Sequence, residues 1–135
     1  MKKKLALITG STQGIGFEIA SFLVDHNYRV IINGRQSEPV HAICKSIGEH
    51  AIPLAVDMTD FNLVNPEINK IVKSHGDLDL IVSNVGSGRY PNDYKTTGID
   101  VYKECFDLNL FQCINLFQHA FQYLSPKASQ LIAIS

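Results

Sequence analysis

Short apolar runs alternate with segments of helical periodicity along the whole chain. The apolar runs predict buried β-strands, and the periodic segments between them predict helices. The predicted strands are Leu5–Thr9, Tyr28–Asn33, Ala51–Val56, Leu78–Ser83 and Gln130–Ser135. The predicted helices are Ile15–His26, Glu38–Gly48, a segment from Thr59 or Asp60 to about His75, and a long helix from about Asp100 to Leu124.

Local signals mark where some of these elements begin and end. Thr59 or Asp60 is placed to cap the third helix, because a side-chain oxygen there accepts a hydrogen bond from a free backbone N–H. Gly48 and Gly76 are typical helix stops. The polar segment from Gly86 to about Gly98 is long for a connection within a domain, which indicates a functional or mobile loop.

Strands that alternate with helices predict a parallel sheet with helices on both faces, which is the α/β doubly wound, or Rossmann, fold. Right-handed crossovers favour the strand order 3-2-1-4-5. Ligands of such sheets bind at the carboxyl ends of the strands, where the order switches between strands 1 and 4. We expect residues 1–135 to form a single domain of this kind.

Composition narrows the classes of function. The 135 residues are 45% hydrophobic, which is enough for a packed core, and a net charge of −1 does not indicate a nucleic-acid partner. No apolar run reaches the ~20 residues of a membrane span, and the run after Lys4 is too short for a signal peptide. We therefore predict a cytoplasmic protein that binds neither nucleic acid nor a membrane.

The cysteines do not indicate a disulfide framework. Cys44, Cys105 and Cys113 form no C-x-x-C pair and are odd in number, which is typical of reduced thiols. A zinc site of Cys105, Cys113 and His119 is conceivable, but the two cysteines are too far apart for a chelating pair. We predict that the chain holds no metal.

A glycine-rich turn joins the first strand to the first helix, and this arrangement is typical of a site for the pyrophosphate of a dinucleotide. Gly10 permits a tight turn, Gly14 lets the backbone approach phosphate, and Gly16 lets the helix pack closely. The alternative is an ordinary strand-to-helix turn. No Lys-Ser or Lys-Thr follows Gly16, which disfavours a mononucleotide site. The predicted cofactor-binding residues of this turn are Gly10, Thr12, Gln13, Gly14, Ile15 and Gly16.

The loop after the second strand bears on the choice of cofactor. Gly34 stands where NAD enzymes carry an acidic residue, and Arg35 can pair with a 2′-phosphate. With Asn33, these residues favour NADP over NAD, although Gln13 supplies no second positive charge. The alternative is that Arg35 is a solvated loop cation.

Two further loops at strand ends carry candidate cofactor contacts. Asp57 and the Met58 N–H can bind adenine, although Asp57 could instead be a helix cap. Asn84, with Val85 and Gly86, can tie neighbouring strands and line the cofactor ribose, although Asn-x-Gly is also a common turn.

Asn109 lies in the long helix between two leucines, where asparagine is unfavourable. If it is buried, it must find partners or cost ~1–3 kcal/mol. It is either a satisfied structural residue or one that holds water or relays a proton.

With these motifs in this order, the chain resembles the N-terminal half of the short-chain dehydrogenase/reductase family over essentially its whole length. The matching positions are Thr9-Gly10-x-x-x-Gly14-Ile15-Gly16, Asp57, Asn84-Val85-Gly86 with Val in place of the family's Ala, and Asn109. The resemblance implies reversible hydride transfer between a nicotinamide and the carbonyl or alcohol carbon of a small molecule. It also implies that Asn109 belongs to the family's catalytic tetrad.

The resemblance further implies a catalytic Ser just after strand 5 and Tyr-x-x-x-Lys on the next helix. We expect the chain to lack that Tyr and Lys and the later strands, so that it is truncated, inactive alone, and open at the edge of strand 5. Ser135 is either the catalytic Ser or its predecessor. Two hypotheses stay open: the NADP(H)-binding portion of an oxidoreductase, or a truncated, non-catalytic nucleotide-binding module.

The long helix is apolar on more than one face between Val101 and Leu124. A helix that is apolar all round is buried on both sides. One side can pack on the sheet, and the resemblance implies that the other meets a second subunit in a homodimer or homotetramer. The alternative is that more of the same chain covers it.

Overall fold

The computed structural model describes residues 3–87 and 93–135. Its strands are β1 Lys4–Ile8, β2 Tyr28–Gly34, β3 Ala51–Ala55, β4 Leu80–Ser83 and β5 Gln130–Ala133. Its helices are α1 Gly14–Asp25, α2 Ser37–Ile47, α3 Phe61–His75, α4 Ile99–Phe106 and α5 Gln112–Ala120. All strand pairs are parallel, in the order β3-β2-β1-β4-β5. The predicted fold class and strand order are therefore confirmed.

The central strand β1 is buried on both faces, which explains its continuous apolar sequence. Leu5 and Leu7 belong to one core, under α3 and α5. Ala6 and Ile8 belong to the other core, under α1 and α2. Successive side chains of a strand point to opposite faces, so each face of the sheet receives its own set of apolar residues.

The two outer strands are more exposed than the central ones. In β3, Pro53 is exposed and pairs with Ile32 of β2, and an edge strand tolerates a residue without an N–H. All four residues of β5 are exposed, and in the described part of the chain β5 pairs with β4 alone. Strand 5 therefore forms an open edge of the described sheet.

The long helix predicted from about Asp100 to Leu124 is not one regular helix. A π-helical turn at Asp107–Phe111 separates α4 from α5, and a 3₁₀ turn follows at Phe121–Tyr123. The Asn109 side chain donates to the carbonyl of Cys105 over 2.8 Å, and this acceptor would otherwise serve the α-helical ladder. A side chain that bonds to the ladder in this way disturbs the regular helix, and here the bond coincides with the π turn.

The helix signals are located close to the observed ends. Asp60 is the cap of α3, because its carboxylate accepts a bond of 3.2 Å from the N–H of Asn62. Gly48 and Gly76 end α2 and α3 at positive φ angles of 88° and 101°. The predicted Gly86–Gly98 loop includes residues 88–92, which lie outside the described residues.

Candidate functional site

A cavity of about 690 Å³ opens at the carboxyl ends of β1, β2, β3 and β4. This is the end of the sheet at which a doubly wound fold binds its ligands. Eleven of the fourteen predicted site residues line it: Gly10, Thr12, Gln13, Gly14, Asn33, Arg35, Asp57, Met58, Asn84, Val85 and Gly86. The other three, Ile15, Gly16 and Asn109, do not line it.

The glycine loop presents backbone to this cavity. Gly10 and Gly14 adopt positive φ angles of 60° and 57°, and a Cβ added at Gly14 would meet nothing within 4 Å. Helix α1 begins beside the loop with no side-chain cap from Gln13 and no acidic residue in its first turn. Free N–H groups and an uncompensated helix dipole at the cavity wall suit an anion such as pyrophosphate.

Gly16 has a packing role next to the cavity. A Cβ there would lie 2.5 Å from the Gly10 carbonyl oxygen and 2.7 Å from the amide nitrogen of Asn84. Glycine therefore allows α1 to lie directly against the loop and against Asn84, rather than against the body of β1. Ile15 is 64% exposed and contacts solvent.

Asn33 lines the cavity, but its side chain is occupied by the protein itself. Its Oδ1 accepts from the N–H of Gly10 over 3.1 Å. Its Nδ2 donates to the carbonyls of Leu54 and Val56 at 3.0 and 3.1 Å. The residue thus joins the glycine loop to the ends of β2 and β3 and orients the loop for a ligand.

Two buried hydroxyls were not predicted as site residues. Thr9 Oγ1 accepts from the backbone N–H groups of Asn84 and Val85 at 2.9 and 3.1 Å. Ser11 Oγ accepts from the N–H of Asn33 over 2.9 Å and donates to the carbonyl of Ile8 over 2.7 Å. The sequence does carry a signal for them, because two small hydroxyl residues follow the apolar run Leu5–Ile8 closely. Hydroxyls buried at such a strand end need hydrogen-bond partners.

Asp57 lies at the far side of the cavity, after β3. Its Oδ1 accepts from the N–H and the Oγ1 of Thr59 at 2.9 and 2.8 Å. The backbone bond from Thr59 is the main reason that the pKa of Asp57 lies below its usual value of 3.8, and the Arg35 guanidinium adds to the shift. The carboxylate is therefore ionised at neutral pH and accepts hydrogen bonds.

Asp57 is not the cap of α3, because Asp60 fills that position. The alternative role of Asp57 as a helix cap is therefore wrong. Met58 also lines the cavity, and it is almost fully buried as part of the core under α3.

Arg35 is exposed and contributes to two adjoining spaces. It lines the main cavity and a second hollow of about 570 Å³ on the outer side of the loop after β2. The other residues of the second hollow are Thr12, Gln13, Gly34, Gln36 and Pro39. None of these lining residues is acidic, so a bound anion meets one positive charge and no carboxylate there.

Asn84 ties β1 to β4. Its Nδ2 donates to the carbonyls of Thr9 and Gly10 at 3.1 and 3.2 Å. Gly86 is required two residues later, because a Cβ there would lie 2.8 Å from Oδ1 of Asn109. The Asn-Val-Gly segment is therefore fitted between the glycine loop and the π turn.

Asn109 is exposed. The position between two leucines suggested that it could be buried, and that possibility is wrong. Its Oδ1 accepts from the N–H of Ser87 over 3.0 Å, and its Nδ2 donates to the carbonyls of Ser87 and Cys105, both at 2.8 Å. The side-chain amide is satisfied by backbone groups and fastens the loop after β4 to the helix. These contacts are compatible with the structural role, and the role in holding water or relaying a proton stays a prediction.

Five lining residues were absent from the predicted site: Gly34, Val56, Thr59, Ser87 and Leu108. All five directly neighbour predicted residues, including Leu108 beside Asn109, so proximity in the sequence could have identified them. Leu108 lies on the π turn, and no local pattern indicates that this turn closes the cavity.

The spacing Tyr-x-x-x-Lys occurs once, at Tyr123 and Lys127, although we expected the chain to lack such a pair. The structure does not give it the form of a catalytic pair. Tyr123 ends a 3₁₀ turn, and Pro126 interrupts the segment before Lys127. The Tyr123 carbonyl accepts from the N–H of Leu78 just before β4, at the end of the sheet opposite the cavity.

The sequence of this chain matches a known protein family over almost its whole length. A sequence model of the short chain dehydrogenase family matches residues 4–135. The chain belongs to the short-chain dehydrogenase family. The family recognised from the motifs is therefore confirmed.

Individual relatives agree with the assignment. The chain is 31% identical over 130 residues to short chain aldehyde dehydrogenase 1 of Euphorbia lathyris, covering 94% of this chain and 45% of that protein. It is likewise 31% identical to the mitochondrial borneol dehydrogenase of Lavandula x intermedia, covering 96% of this chain and 49% of that protein. The chain thus spans about half the length of these relatives.

A solved structure shares the fold. The 3-ketoacyl-(acyl-carrier-protein) reductase of Brucella melitensis, determined with NADH, superposes with a TM-score of 0.82 at 22% identity. The alignment covers 89% of this chain and 50% of that one.

Two further observations concern residues 3–87 and 93–135. No helix among them is long and apolar enough to cross a bilayer. No three His, Cys, Asp or Glu side chains among them gather closely enough to hold a metal ion.

Proposed function

We propose that this chain binds a nicotinamide dinucleotide in the cavity and forms the cofactor-binding portion of a short-chain oxidoreductase. The observation that carries the proposal is the glycine loop, with Gly14 open to the cavity beside the uncapped start of α1. The related bacterial reductase was solved with NADH, which supports a nicotinamide cofactor. The activity proposed for the whole protein is hydride transfer between nicotinamide and a carbonyl or alcohol carbon of a small-molecule substrate.

The residues of the cavity fit the parts of such a cofactor. Backbone N–H groups of the loop from Gly10 to Gly14 would hold the pyrophosphate. The ionised Asp57 would accept from the adenine amine, because only its Oδ1 is bonded in the described structure. Val85 and Gly86 would line the ribose on the nicotinamide side. When bound, the nicotinamide would accept or release the hydride.

We also propose a preference for NADP over NAD. Arg35 stands beside a polar hollow that adjoins the main cavity, and the described residues lining that hollow carry no carboxylate. A guanidinium forms strong paired hydrogen bonds with phosphate, so the 2′-phosphate of NADP would gain a contact that NAD lacks.

Arg35→Asp tests the cofactor preference, with Lys127→Asp as a matched charge change near the amino end of β5. We expect Arg35→Asp to weaken NADPH binding at least about tenfold and NADH binding little, because one charge-assisted contact is lost. Isothermal titration of both dinucleotides checks this expectation. Equal losses for both would refute the 2′-phosphate role, and failure of the unsubstituted chain to bind either would refute the proposed function.

The acid–base chemistry of the proposed reaction is not assigned to these 135 residues. Tyr123 and Lys127 lie at the wrong end of the sheet, and the side-chain amide of Asn109 is engaged by backbone. We propose that this segment alone holds the dinucleotide without reducing a carbonyl. Oxidation of NADPH by the segment with a carbonyl substrate would contradict this.

We propose that the protein is a homodimer or homotetramer, with the outer side of the helical segment Val101–Leu124 as its interface. Exposed apolar side chains follow one another along this surface: Phe106, Leu110, Phe111, Ile114 and Phe121. The inner side, with Leu116 and Ala120, is buried against the sheet and α3. Contiguous exposed apolar surface of this kind marks an interaction site.

A further inference from the structure

We infer that Gln112 is a positioning residue for the dinucleotide cavity, which it serves by holding the backbone at Val85. The inference rests on the proposed function, because the importance of this backbone depends on a cofactor that contacts it. Gln112 does not line the main cavity and lies outside every motif identified in the sequence.

The geometry places Gln112 behind the wall of the cavity. It is the first residue of α5 and is 2% exposed. Its Nε2 donates to the carbonyl of Val85 over 3.1 Å and to Oγ of Ser83 over 3.3 Å. The side chain therefore crosses from the helix to the segment that follows β4.

The same segment is held from its other side by the glycine loop. Thr9 Oγ1 accepts the N–H of Val85, and a Cβ built at Gly10 would lie 3.2 Å from a methyl group of Val85. Val85 thus lies between Gln112 and the phosphate-binding turn. A shift of Val85 away from the helix would move a wall of the cavity relative to that turn.

The energetics separate positioning from packing. The Oε1 of Gln112 is buried and has no hydrogen-bond partner among the described residues. A buried amide oxygen without a partner is destabilising, so an apolar side chain of similar length would avoid that cost. The same replacement would take the Nε2 donor away from the Val85 carbonyl and from Ser83 Oγ, so the two effects on stability oppose each other. What glutamine supplies at this position is the bond from Nε2, which constrains Val85.

The π turn explains how Gln112 reaches the segment. The turn ends where the N–H of Gln112 bonds to the carbonyl of Asp107, five residues earlier. An extra residue in the turn rotates the helix that follows, relative to a regular α-helix. Gln112 and Asn109 then face the same loop, and Asn109 binds it at Ser87.

Gln112→Met tests the inference in the 135-residue chain, with Gln118→Met as the control on an exposed position of α5. Three quantities are measured for each variant: amide hydrogen exchange at Val85–Ser87, NADPH affinity by titration, and the midpoint of thermal unfolding. For Gln112→Met we expect exchange to quicken and affinity to weaken, each about fivefold, because both hydrogen bonds from Nε2 are lost. We expect the midpoint to hold or rise, and we expect no change in any readout for Gln118→Met.

Unchanged exchange at Val85–Ser87 would overturn the inference, whatever happens to binding. A lower midpoint that accompanies the loss of affinity would assign Gln112 to packing and overturn it as well. If Gln112→Met does not fold, Gln112→Leu takes its place. Failure of both variants to fold would assign Gln112 to packing and would overturn the inference. A third outcome separates the two proposals. If the unsubstituted chain binds no NADPH but Gln112→Met still exchanges its Val85–Ser87 amides faster than Gln118→Met, the proposed function is refuted, whereas the role of Gln112 in holding this segment is supported.

Discussion

Strands β1 and β5 have similar apolar sequences but very different surroundings. Ala6, Leu7 and Ile8 of β1 are 0% exposed, whereas Leu131 and Ile132 of β5 are 37% and 41% exposed. Strand β1 has a neighbour on each side and helices over both faces, whereas β5 has β4 alone in the described structure. An apolar run therefore specifies a strand, whereas the strands and helices packed around it decide how much that strand stabilises the fold.

The uncovered apolar surface continues from β5 onto the α1 face of the sheet. An open groove of about 430 Å³ there is lined almost entirely by apolar side chains, among them Phe22, Val82, Ile132 and Ile134. On the same face of the sheet, but under α1 and α2, Val30, Ile32 and Val40 are fully buried. The described molecule thus has a tightly packed half around β1 and β2 and an open half around β5.

The largest expected effect comes from truncating matched leucines in the two halves. Leu7→Ala should cost about 3 kcal/mol of unfolding free energy, because it leaves a cavity in a closed core, and Leu131→Ala should cost less than about 1 kcal/mol. Urea unfolding followed by circular dichroism measures both. Equal losses would show that β5 is as buried in solution as β1, and the contrast between the halves would be wrong.

A smaller effect is expected from adding one methyl group to a closely packed glycine and to an open one. Gly16→Ala should cost about 2 kcal/mol, because the new Cβ would lie 2.5 Å from the Gly10 carbonyl oxygen. Gly98→Ala should cost less than about 1 kcal/mol, because nothing lies within 4 Å of the new Cβ at a φ of −65° and only the preference for glycine at this N-cap of α4 is lost.

The same pair of glycine variants separates packing from binding. Gly16→Ala should also weaken NADPH binding, because the displaced atoms belong to the phosphate loop and Asn84. Thermal melts and titration measure the two quantities side by side. Unchanged NADPH affinity in Gly16→Ala would mean that the glycine loop tolerates movement. The close packing around Gly16 would then serve stability and not ligand binding.

The smallest effect on stability is expected at the exposed face of the helical segment. Phe121 is 71% exposed, so Phe121→Ser should change the unfolding free energy by less than about 0.5 kcal/mol. If this face is the interface between subunits, self-association should weaken about tenfold, because buried aromatic side chains dominate such contacts. Sedimentation velocity measures this, with Leu63→Ser on α3 as the control. Equal association of both variants would remove this face from the proposed interface.

Several features were predictable because they depend on local physics. Glycine permits the positive φ angles at Gly10 and Gly14, and Asp60 caps α3 because its carboxylate accepts a free backbone N–H of the first turn. The strand order follows from the handedness of crossovers, which is nearly invariant. The carboxyl-end loops then had to meet at one edge of the sheet, and eleven predicted residues line one cavity there.

Other features were not predictable, because they depend on contacts between distant segments. The roles of Thr9, Ser11 and Asn33 as hydrogen-bond links arise only when the ends of four strands converge. Asn109 was expected in a regular helix, and its bond to Cys105 instead accompanies a π turn. That turn determines which side chains of α5 face the loop after β4, and Gln112 therefore carried no recognisable signal.

Residue type and periodicity were sufficient to specify strands, helices, the phosphate-binding turn and the family of this protein, because each of these depends on short-range sterics and on alternation of polarity. Tertiary packing alone decided which of the apolar runs is buried, how the wide turn orients Asn109 and Gln112, and which loop atoms face the cavity. Those outcomes depend on how segments far apart in the sequence are placed relative to one another, and a local pattern of residues does not specify such contacts.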